Sequence, residues 1–285
     1  MITLQEPAYA KLNLTLDILH KREDGFHEIE SVMQQITMCD DVEIDLETGE
    51  DWKLECDWED VPTDSENLAW KAAGLFYKSI GKDPGGIAIR ITKRIPMGAG
   101  LAGGSADAAA VLRALNRREG EPYTIWDLAR LSAKIGSDVP FCVLGGTALA
   151  KGRGEKVNQL LPMPQCFYCI AKPDFSVSTP ELYAKWDEAE SQYHPDINGM
   201  GRALDQQNLL HVAGYLGNAM EPLVAADHPE IAKIKEKMMD CGALGACMTG
   251  SGSAVYGVFD AFDMAAMASM ELMESCKTYL ARNVD

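Results

Sequence analysis

The stretch PMGAGLAGGSAD at residues 96–107 constrains this chain more than any other segment. It places four glycines within seven residues, followed by the hydroxyl of Ser105 and the carboxylate of Asp107. Residues 86–93 alternate polar and apolar, which predicts a strand, and residues 108–115 are strong helix formers with an apolar stripe. A strand, glycine loop and helix in this order let backbone N–H groups converge on an anion. The segment therefore predicts a site for a di- or triphosphate.

Two other classes of phosphate-binding loop fit this stretch less well. Gly98, Gly100 and Gly103 match the G-x-G-x-x-G pattern of dinucleotide-binding folds, but that pattern alone is a weak signal. The strand before it is amphipathic, whereas a central parallel strand is usually apolar on both faces. A P-loop is excluded because no Gly-Lys-Ser/Thr closes the segment. A glycine-rich turn without a ligand remains the alternative.

Composition excludes several classes of partner and site. The 285 residues carry a formal net charge of −17, which opposes binding to nucleic acids and to anionic membranes. No apolar run is long enough to span a bilayer, and the N-terminus lacks the pattern of a signal peptide, so we expect a cytoplasmic protein. The eight cysteines include one isolated C-x-x-C, Cys166 to Cys169, and no histidine pair at ligand spacing. We therefore predict reduced thiols and no zinc site, and we assign no residue as a metal ligand.

The N-terminal half of the chain alternates strands and helices. Residues 7–19 alternate polar and apolar as a strand does, with Lys11 and Asn13 on one face. A helix begins near residues 64–68, and a second helix covers residues 124–135. Asp138 then lies at the N-terminus of a short helix, where an anion is favoured, although an N-cap role alone would explain it. The composition changes near residue 157, so we predict two domains, 1–157 and 158–285.

The C-terminal half reads as a mixture of strands and helices around a second glycine loop at residues 243–253. The expected elements are strands at 166–172 and 254–259, helices from 178, at 208–218, at 229–240 and at 264–280, and a polar loop at 187–207. Together the two halves predict an α/β (α+β) fold.

Three segments in this order resemble the GHMP small-molecule kinases, such as galactokinase, homoserine kinase and mevalonate kinase. They are Pro7-x-x-x-Lys11-x-Asn13, the glycine-rich stretch 96–107, and Met248-Thr-Gly-Ser-Gly-Ser253. Asp24-Gly-Phe-His-Glu-Ile29 and Ile135-Gly-Ser-Asp-Val-Pro-Phe141 point within the family to the branch that acts on a cytidine-diphosphate-linked methylerythritol. The resemblance spans nearly the whole chain. It implies a two-domain fold with the active site in the interdomain cleft, and phosphorylation of the 2-hydroxyl of that substrate in the non-mevalonate isoprenoid route.

The resemblance also implies roles for individual residues. Lys11 and Asp138 would be the catalytic pair, with Asp138 as the base. ATP, with Mg²⁺ to offset its charge, would be bound by Asn67 and by the whole loop: Pro96, Met97, Gly98, Ala99, Gly100, Leu101, Ala102, Gly103, Gly104, Ser105, Ala106 and Asp107. The substrate would contact Asn13, Phe26, His27, Thr179 and Tyr183, with Phe26 and Tyr183 on the two faces of the cytosine and His27 at its edge. No obligate protein partner is implied.

Two alternative functions remain open at the level of the sequence. One is another GHMP kinase, acting on homoserine or mevalonate, although those substrates carry no base for an aromatic side chain to stack on. The other is a non-catalytic nucleotide-binding protein on the same fold. Retention of both Lys11 and Asp138 argues against it, because a nucleotide sensor needs the glycine loop but not the pair.

Overall fold

The structure is a computed structural model that describes residues 2–49, 51–189 and 192–284. It mixes helices and strands throughout, which confirms the predicted α/β (α+β) class. The strands are β1 Ile2–Lys21, β2 His27–Leu46, β3 Lys53–Cys56, β4 Ile87–Thr92, β5 Thr147–Gly152, β6 Lys156–Gln159, β7 Phe167–Lys172, β8 Gly217–Asn218, β9 Gly245–Met248, β10 Val255–Phe259 and β11 Lys277–Arg282. The helices are α1 Leu68–Ile80, α2 Gly103–Arg118, α3 Ile125–Ser132, α4 Val139–Leu144, α5 Thr179–Glu188, α6 Ile197–Asp205, α7 Leu209–Gly214, α8 Glu221–Asp227, α9 Glu230–Asp240 and α10 Phe262–Leu272.

The chain forms two compact units that do not follow a single cut in the sequence. The first unit contains residues 1–10, 39–95 and 102–145, and the second contains residues 11–38, 96–101 and 146–285. Strands β1 and β2 therefore contribute residues to both units. The predicted domains, 1–157 and 158–285, divide the chain at one point in the sequence, whereas these units group residues by their contacts. The predicted division therefore stays a prediction.

The first unit packs helices α1 to α4 against one another beside a small sheet. Strand β4 pairs in parallel with β3 and antiparallel with the end of β2, with Ile89 opposite both Leu54 and Ile44. The facing helices α1 and α2 are rich in alanine, including the buried Ala72 and Ala109. Small side chains let two helices approach closely, so this alanine content holds α2 close to α1.

The second unit contains a four-stranded antiparallel sheet in the order β11-β7-β10-β9. Its central strands pair with Val255 opposite Ala171, and helices α9 and α10 pack on this sheet. Strands β1 and β8 pair in parallel, and β2 pairs antiparallel with β5. The central strands β7 and β10, which carry the fully buried Tyr168 and Tyr256, are buried on both faces, which explains why they are almost continuously apolar. None of the described helices combines the length and the apolar character needed to cross a membrane.

Three sequence-based expectations in the second half are wrong. The helix expected at 208–218 ends at Gly214, and Gly217–Asn218 form β8, which pairs with β1. Residues 187–207 were expected to be a loop, but they contain the end of α5 and all of α6, whose N-cap Asp196 accepts a hydrogen bond from the amide of Gly199. The final helix was expected to run to residue 280, but it ends at Leu272. The last residues form β11 instead, because they pair with β7 along its whole length, and pairing with a distant strand overrides local periodicity.

Candidate active site

Lys11 and Asn13 lie side by side on β1, as the two-residue spacing predicts. Lys11 is 3% exposed, and its ammonium donates to Asn13 Oδ1 at 2.5 Å and to the carbonyl of Gly100 at 2.9 Å. Within its unit, as far as the structure describes it, no carboxylate pairs with Lys11. Two of its three N–H groups therefore meet neutral oxygens, so the positive charge is fixed in place but not neutralised.

Both the oxygen and the nitrogen of the Asn13 side-chain amide form hydrogen bonds within the protein. Its amide nitrogen donates to Ser31 Oγ at 2.7 Å, while its Oδ1 accepts from Lys11. The backbone N–H of Asn13 donates to Thr249 Oγ1 at 3.0 Å, and its carbonyl accepts from the buried Tyr256 hydroxyl at 2.8 Å. These contacts hold the Asn13 side chain against Lys11, so its predicted contact to substrate stays a prediction.

Residues 96–101 of the glycine-rich stretch pack against residues 249–254 of the second glycine loop. The carbonyls of Gly98 and Ala99 accept hydrogen bonds from the amides of Ser253 at 3.4 Å and Ala254 at 3.3 Å. Gly100 has φ +73°, and a Cβ added to it would lie 2.1 Å from the carbonyl oxygen of Thr249. Only glycine fits there, and the reason is packing within the protein.

Residues 102–107 form the start of α2 and leave space that the protein does not fill. Ala102 has φ 58°, and α2 begins at Gly103 without a side-chain cap. The first N–H groups of a helix have no partner within it, and they carry the positive end of the helix dipole. Gly104 is exposed, and the nearest atom to a Cβ added there is Leu68 Cδ1 at 3.8 Å. A phosphate group therefore fits at this helix terminus.

Several side chains of the predicted ATP loop are buried. Ala99, Leu101 and Ala106 are each 1% exposed, so their side chains are not available to a nucleotide. Gly103 is also constrained from within, because an added Cβ would lie 3.2 Å from both Lys93 Nζ and Ile95 Cγ2. Met97 is 43% exposed and leaves its side chain available.

Asp107 belongs to a buried charge cluster with Lys93 and Asp40. Lys93 Nζ donates to Asp107 Oδ2 at 2.8 Å and forms a short ion pair with Asp40, whose other oxygen accepts the amides of Arg94 and Ile95. Asp107 Oδ1 is buried and has no hydrogen-bond partner among the described residues. Burial, opposed by Lys93, raises the pKa of Asp107 to about 7. The carboxylate fastens α2 to the end of β4, and its predicted contact to ATP stays a prediction.

Asn67 and Asp138 both occupy helix N-caps, but only Asn67 uses its side chain as a cap. Asn67 Oδ1 accepts from the amide of Ala69 at 2.8 Å, and its Nδ2 donates to the carbonyl of Pro62 at 2.7 Å. Asp138 precedes α4 without a side-chain cap bond and is half-buried. Within its unit, over the residues that the structure describes, no group donates to the Asp138 carboxylate. This carboxylate is available for chemistry.

The charged turn before β2 presents one open aromatic ring and one engaged imidazole. Phe26 is 51% exposed, as expected for an aromatic without a local core, and Arg153 lies over its ring at 4.8 Å. His27 is buried, and its Nε2 lies 2.7 Å from Asp187 Oδ1. The ring of Tyr183 stacks on His27 with centroids 4.5 Å apart. Phe26 is therefore the only one of the three rings that offers a largely exposed face.

Thr179 lies at the start of α5, and its Oγ1 is 2.8 Å from Ser251 Oγ. The structure thus stacks Tyr183 on His27, the neighbour of Phe26 in the chain, and places Thr179 next to the second glycine loop. The predicted position of a cytosine between Phe26 and Tyr183 stays a prediction. Sequence reasoning did not identify Thr249, Lys93 or Asp187 as supporting residues. Thr249 had a signal, since it lies inside the second glycine loop, whereas Lys93 and Asp187 are ordinary charged residues whose partners come from distant segments.

Comparison with known proteins identifies the family. The model of the GHMP kinase N-terminal domain matches residues 67–146, and that of the GHMP kinase C-terminal domain matches residues 189–269. A protein of Bacillus licheniformis named 4-diphosphocytidyl-2-C-methyl-D-erythritol kinase is 48% identical over 257 residues, covering 89% of this chain and 87% of the relative. The chain belongs to the GHMP kinases. It is a kinase, and the family uses ATP as its phosphoryl donor.

Further similarities agree with this assignment. A Pelotomaculum thermopropionicum protein of the same name is 44% identical, over 88% of this chain and 87% of that protein. A crystal structure of 4-(cytidine 5'-diphospho)-2C-methyl-D-erythritol kinase matches with a TM-score of 0.82 at 30% identity, covering 99% of this chain and all of that one. Homoserine kinase from Cytophaga hutchinsonii has a TM-score of 0.77 at 19% identity, which shows a shared fold only.

Proposed function

We propose that this kinase transfers the γ-phosphoryl group of ATP to the 2-hydroxyl of 4-diphosphocytidyl-2-C-methyl-D-erythritol. The observation that carries the choice of substrate is Phe26, a half-exposed aromatic ring beside a buried and oriented histidine. A substrate with a pyrimidine base would cover that ring, whereas homoserine or mevalonate would leave it in water. The names of the similar proteins support the same choice.

The N-terminus of α2 is the proposed phosphate site. Its unpaired backbone N–H groups, the helix dipole and the open space at Gly104 suit an anion, and no acidic residue occupies the first turn. Across the described ranges, no group of three or more His, Cys, Asp or Glu side chains could hold a metal ion. Mg²⁺ usually keeps several waters and is bound through substrate phosphates with one or two carboxylates, so it would enter as part of the MgATP substrate.

Asp138 is the proposed base. Phosphoryl transfer passes through a loose transition state, so the protein contributes mainly position and charge. The substrate hydroxyl donates a hydrogen bond to the Asp138 carboxylate, which orients the oxygen for attack on phosphorus. An alcohol is a far weaker acid than a carboxylic acid, so the proton moves to Asp138 late, when the bond to phosphorus has largely formed.

Lys11 is the proposed electrostatic partner of this step. Asn13 and the Gly100 carbonyl fix its ammonium without neutralising it. A buried cation whose partners are neutral retains most of its field, because little water screens it. That field favours the negative charge that develops on the transferring phosphoryl group, so Lys11 needs no proton transfer of its own.

His27 is the proposed reader of the base. When its Nε2–H donates to Asp187, the neutral ring keeps a lone pair on Nδ1, which can accept from an amine. Cytosine carries a 4-amino group and uracil does not, so this tautomer favours cytosine. Phe26 supplies stacking, which is worth about 1–3 kcal/mol per base.

The test is a phosphorus NMR assay with ATP, Mg²⁺ and the cytidylated substrate. A new phosphomonoester resonance and ADP are expected, with slower turnover of the uridine analogue and none with homoserine or mevalonate. Turnover of either of those two small substrates in place of the cytidylated one would refute the proposal. The Asp138→Asn variant provides the background rate.

A further inference from the structure

Lys172 is a buried lysine that has no role in the candidate active site described above. It ends β7 and is 8% exposed, and its ammonium donates to the carbonyls of Pro173 at 2.6 Å and Phe175 at 2.7 Å. No carboxylate of the described residues forms an ion pair with it. Burial lowers the pKa of Lys172, only partly opposed by the charge of Asp174. An ammonium buried without an ion-pair partner is costly, so an ordinary surface role does not explain it.

One of the two carbonyls that Lys172 contacts, that of Phe175, is linked by hydrogen bonds to the glycine-rich stretch. Phe175 O also accepts from the hydroxyl of Ser253 at 2.7 Å, and Ser253 is fully buried. The backbone N–H of Ser253 in turn donates to the carbonyl of Gly98 at 3.4 Å. Lys172, Phe175, Ser253 and Gly98 thus form a continuous chain of hydrogen bonds inside the second unit.

The segment that Lys172 holds, residues 173–179, also lies beside both glycine loops. Ser176 Oγ lies 3.3 Å from the position of a Cβ added to Gly98, and Thr179 Oγ1 lies 2.8 Å from Ser251 Oγ. Residues 173–178 have no regular structure of their own. Without ladder or helix hydrogen bonds, the position of such a segment depends on contacts of this kind.

We propose that Lys172 is a positioning residue for the nucleotide loop. Its ammonium fixes residues 173–179, and through Phe175 O and Ser253 this segment supports the loop residues 98–101. This inference rests on the proposed role of residues 96–107 in binding ATP. It assigns Lys172 no contact with substrate.

Lys172→Met separates positioning from stability, because methionine fills the same volume and removes only the charge and its donors. The change removes the cost of burying an unpaired charge but leaves the Pro173 carbonyl without its lysine donor, so the two effects on stability oppose each other. We expect a nearly unchanged thermal midpoint, together with about tenfold weaker ATP binding by calorimetry and a higher KM for ATP, while kcat changes less. A lower thermal midpoint with unchanged ATP affinity would show that Lys172 is merely structural and overturn the proposal.

Lys277→Met is the matched control, since Lys277 lies opposite Lys172 in the β7–β11 register but is exposed. It removes the same charge without touching the carbonyls, so ATP affinity should stay at the parent value. An equal loss in both variants would overturn the proposal in favour of a general charge effect. Ser253→Ala removes the other donor to Phe175 O, and its effect should be non-additive with that of Lys172→Met.

Hydrogen exchange keeps the inference testable even if the proposed function fails. If the parent protein neither binds nor turns over ATP, the proposed function is wrong, whatever the variants show. The positioning role is judged separately from amide exchange in residues 173–179 and 249–254 of the parent and of Lys172→Met. Faster exchange confined to these segments supports it, and unchanged exchange refutes it.

Discussion

Gly100 and Gly104 lie four residues apart in one glycine-rich stretch, yet they are glycines for different reasons. At Gly100 the protein itself fills the space, because the Thr249 carbonyl lies where a Cβ would be and the backbone has a positive φ. At Gly104 the backbone is helical and an added Cβ would make only an ordinary contact with Leu68. Clustered glycines therefore do not by themselves define a ligand cradle. Those that the protein leaves open are the candidates for contact with a ligand.

The same contrast separates other pairs of residues. Asn67 uses both ends of its amide within the protein, whereas Asp138, at an equivalent helix position, uses neither oxygen as a cap. His27 is held by Asp187 and Tyr183, whereas the neighbouring Phe26 is half-exposed. Groups whose polar atoms are all engaged by the protein stabilise it, and groups that keep an open atom or face, such as His27 Nδ1 or the Phe26 ring, are candidates for contact with a ligand. Substitutions can test this distinction directly, since the two kinds of residue should affect different measurements.

Asp138→Asn should have the largest effect, and on turnover alone. The amide keeps the shape of the carboxylate but cannot accept the proton, so kcat should fall about 10²- to 10⁴-fold. Stability should hardly change, because the side chain caps nothing. Steady-state kinetics and denaturant titration measure the two quantities.

Thr124→Ala is the control for that experiment. Thr124 caps α3 through a hydrogen bond from the amide of Asp127 at 3.2 Å. Its loss should cost about 1 kcal/mol of stability and leave turnover unchanged. Turnover of Asp138→Asn within tenfold of the parent would exclude Asp138 as the base.

Gly100→Ala should have the next largest effect, and on stability. Backbone strain and the clash with the Thr249 carbonyl together should lower the free energy of unfolding by about 2–4 kcal/mol. Gly81→Ala isolates the strain, because Gly81 also has a positive φ, +67°, but an added Cβ would meet nothing within 4 Å. It should cost only about 1 kcal/mol. If urea titrations showed the same loss of unfolding free energy in the two variants, residues 98–101 would have to move aside to accommodate the methyl group.

The parts of the fold that could be predicted from sequence are those set by local pattern. The alternation in β1 placed Lys11 beside Asn13, and the glycine-to-alanine transition located α2. The predictions that failed concern segments whose structure depends on residues far away in the chain. Gly199 and Gly201 lower the helix propensity of α6, yet Gly199 is required because the Tyr215 ring lies 2.2 Å from where its Cβ would be.

The candidate site shows the same division. Sequence could indicate Phe26 as an exposed aromatic, because the turn around it has no apolar periodicity. It could not show that Asp107 is engaged by Lys93, or that Gly100 is closed by Thr249, since these contacts join residues far apart in the chain. Residue type and spacing identify candidates for a site, and packing decides which of them remain open.

Phe26→Ala comes third and should affect substrate binding. Loss of stacking should weaken the affinity for the cytidylated substrate by about 1–3 kcal/mol, with ATP affinity and thermal midpoint nearly unchanged, because half of the ring is already in water. Binding is measured by calorimetry with each ligand. A core role would instead cost about 3–5 kcal/mol of stability and spare the cytidine affinity, which would contradict the stacking role. His27→Ala should lower the preference for the cytidine over the uridine substrate.

Gly104→Ala should have the smallest effect and tests the comparison most sharply. The new methyl group would lie at the helix terminus where the phosphate is proposed to bind, so ATP affinity should fall about tenfold, or about 1.4 kcal/mol. The same change removes a flexible residue from a helix and should raise stability by about 0.5–1 kcal/mol.

Gly74→Ala is the matched control, since Gly74 lies within α1 and an added Cβ would meet nothing within 4 Å. It should give the same gain in stability with unchanged ATP affinity. If Gly104→Ala also bound ATP as well as the parent, the open space at the start of α2 would not be the phosphate site. Opposite signs for stability and affinity, at Gly104 alone, would show that this glycine is kept for the ligand at the expense of the helix.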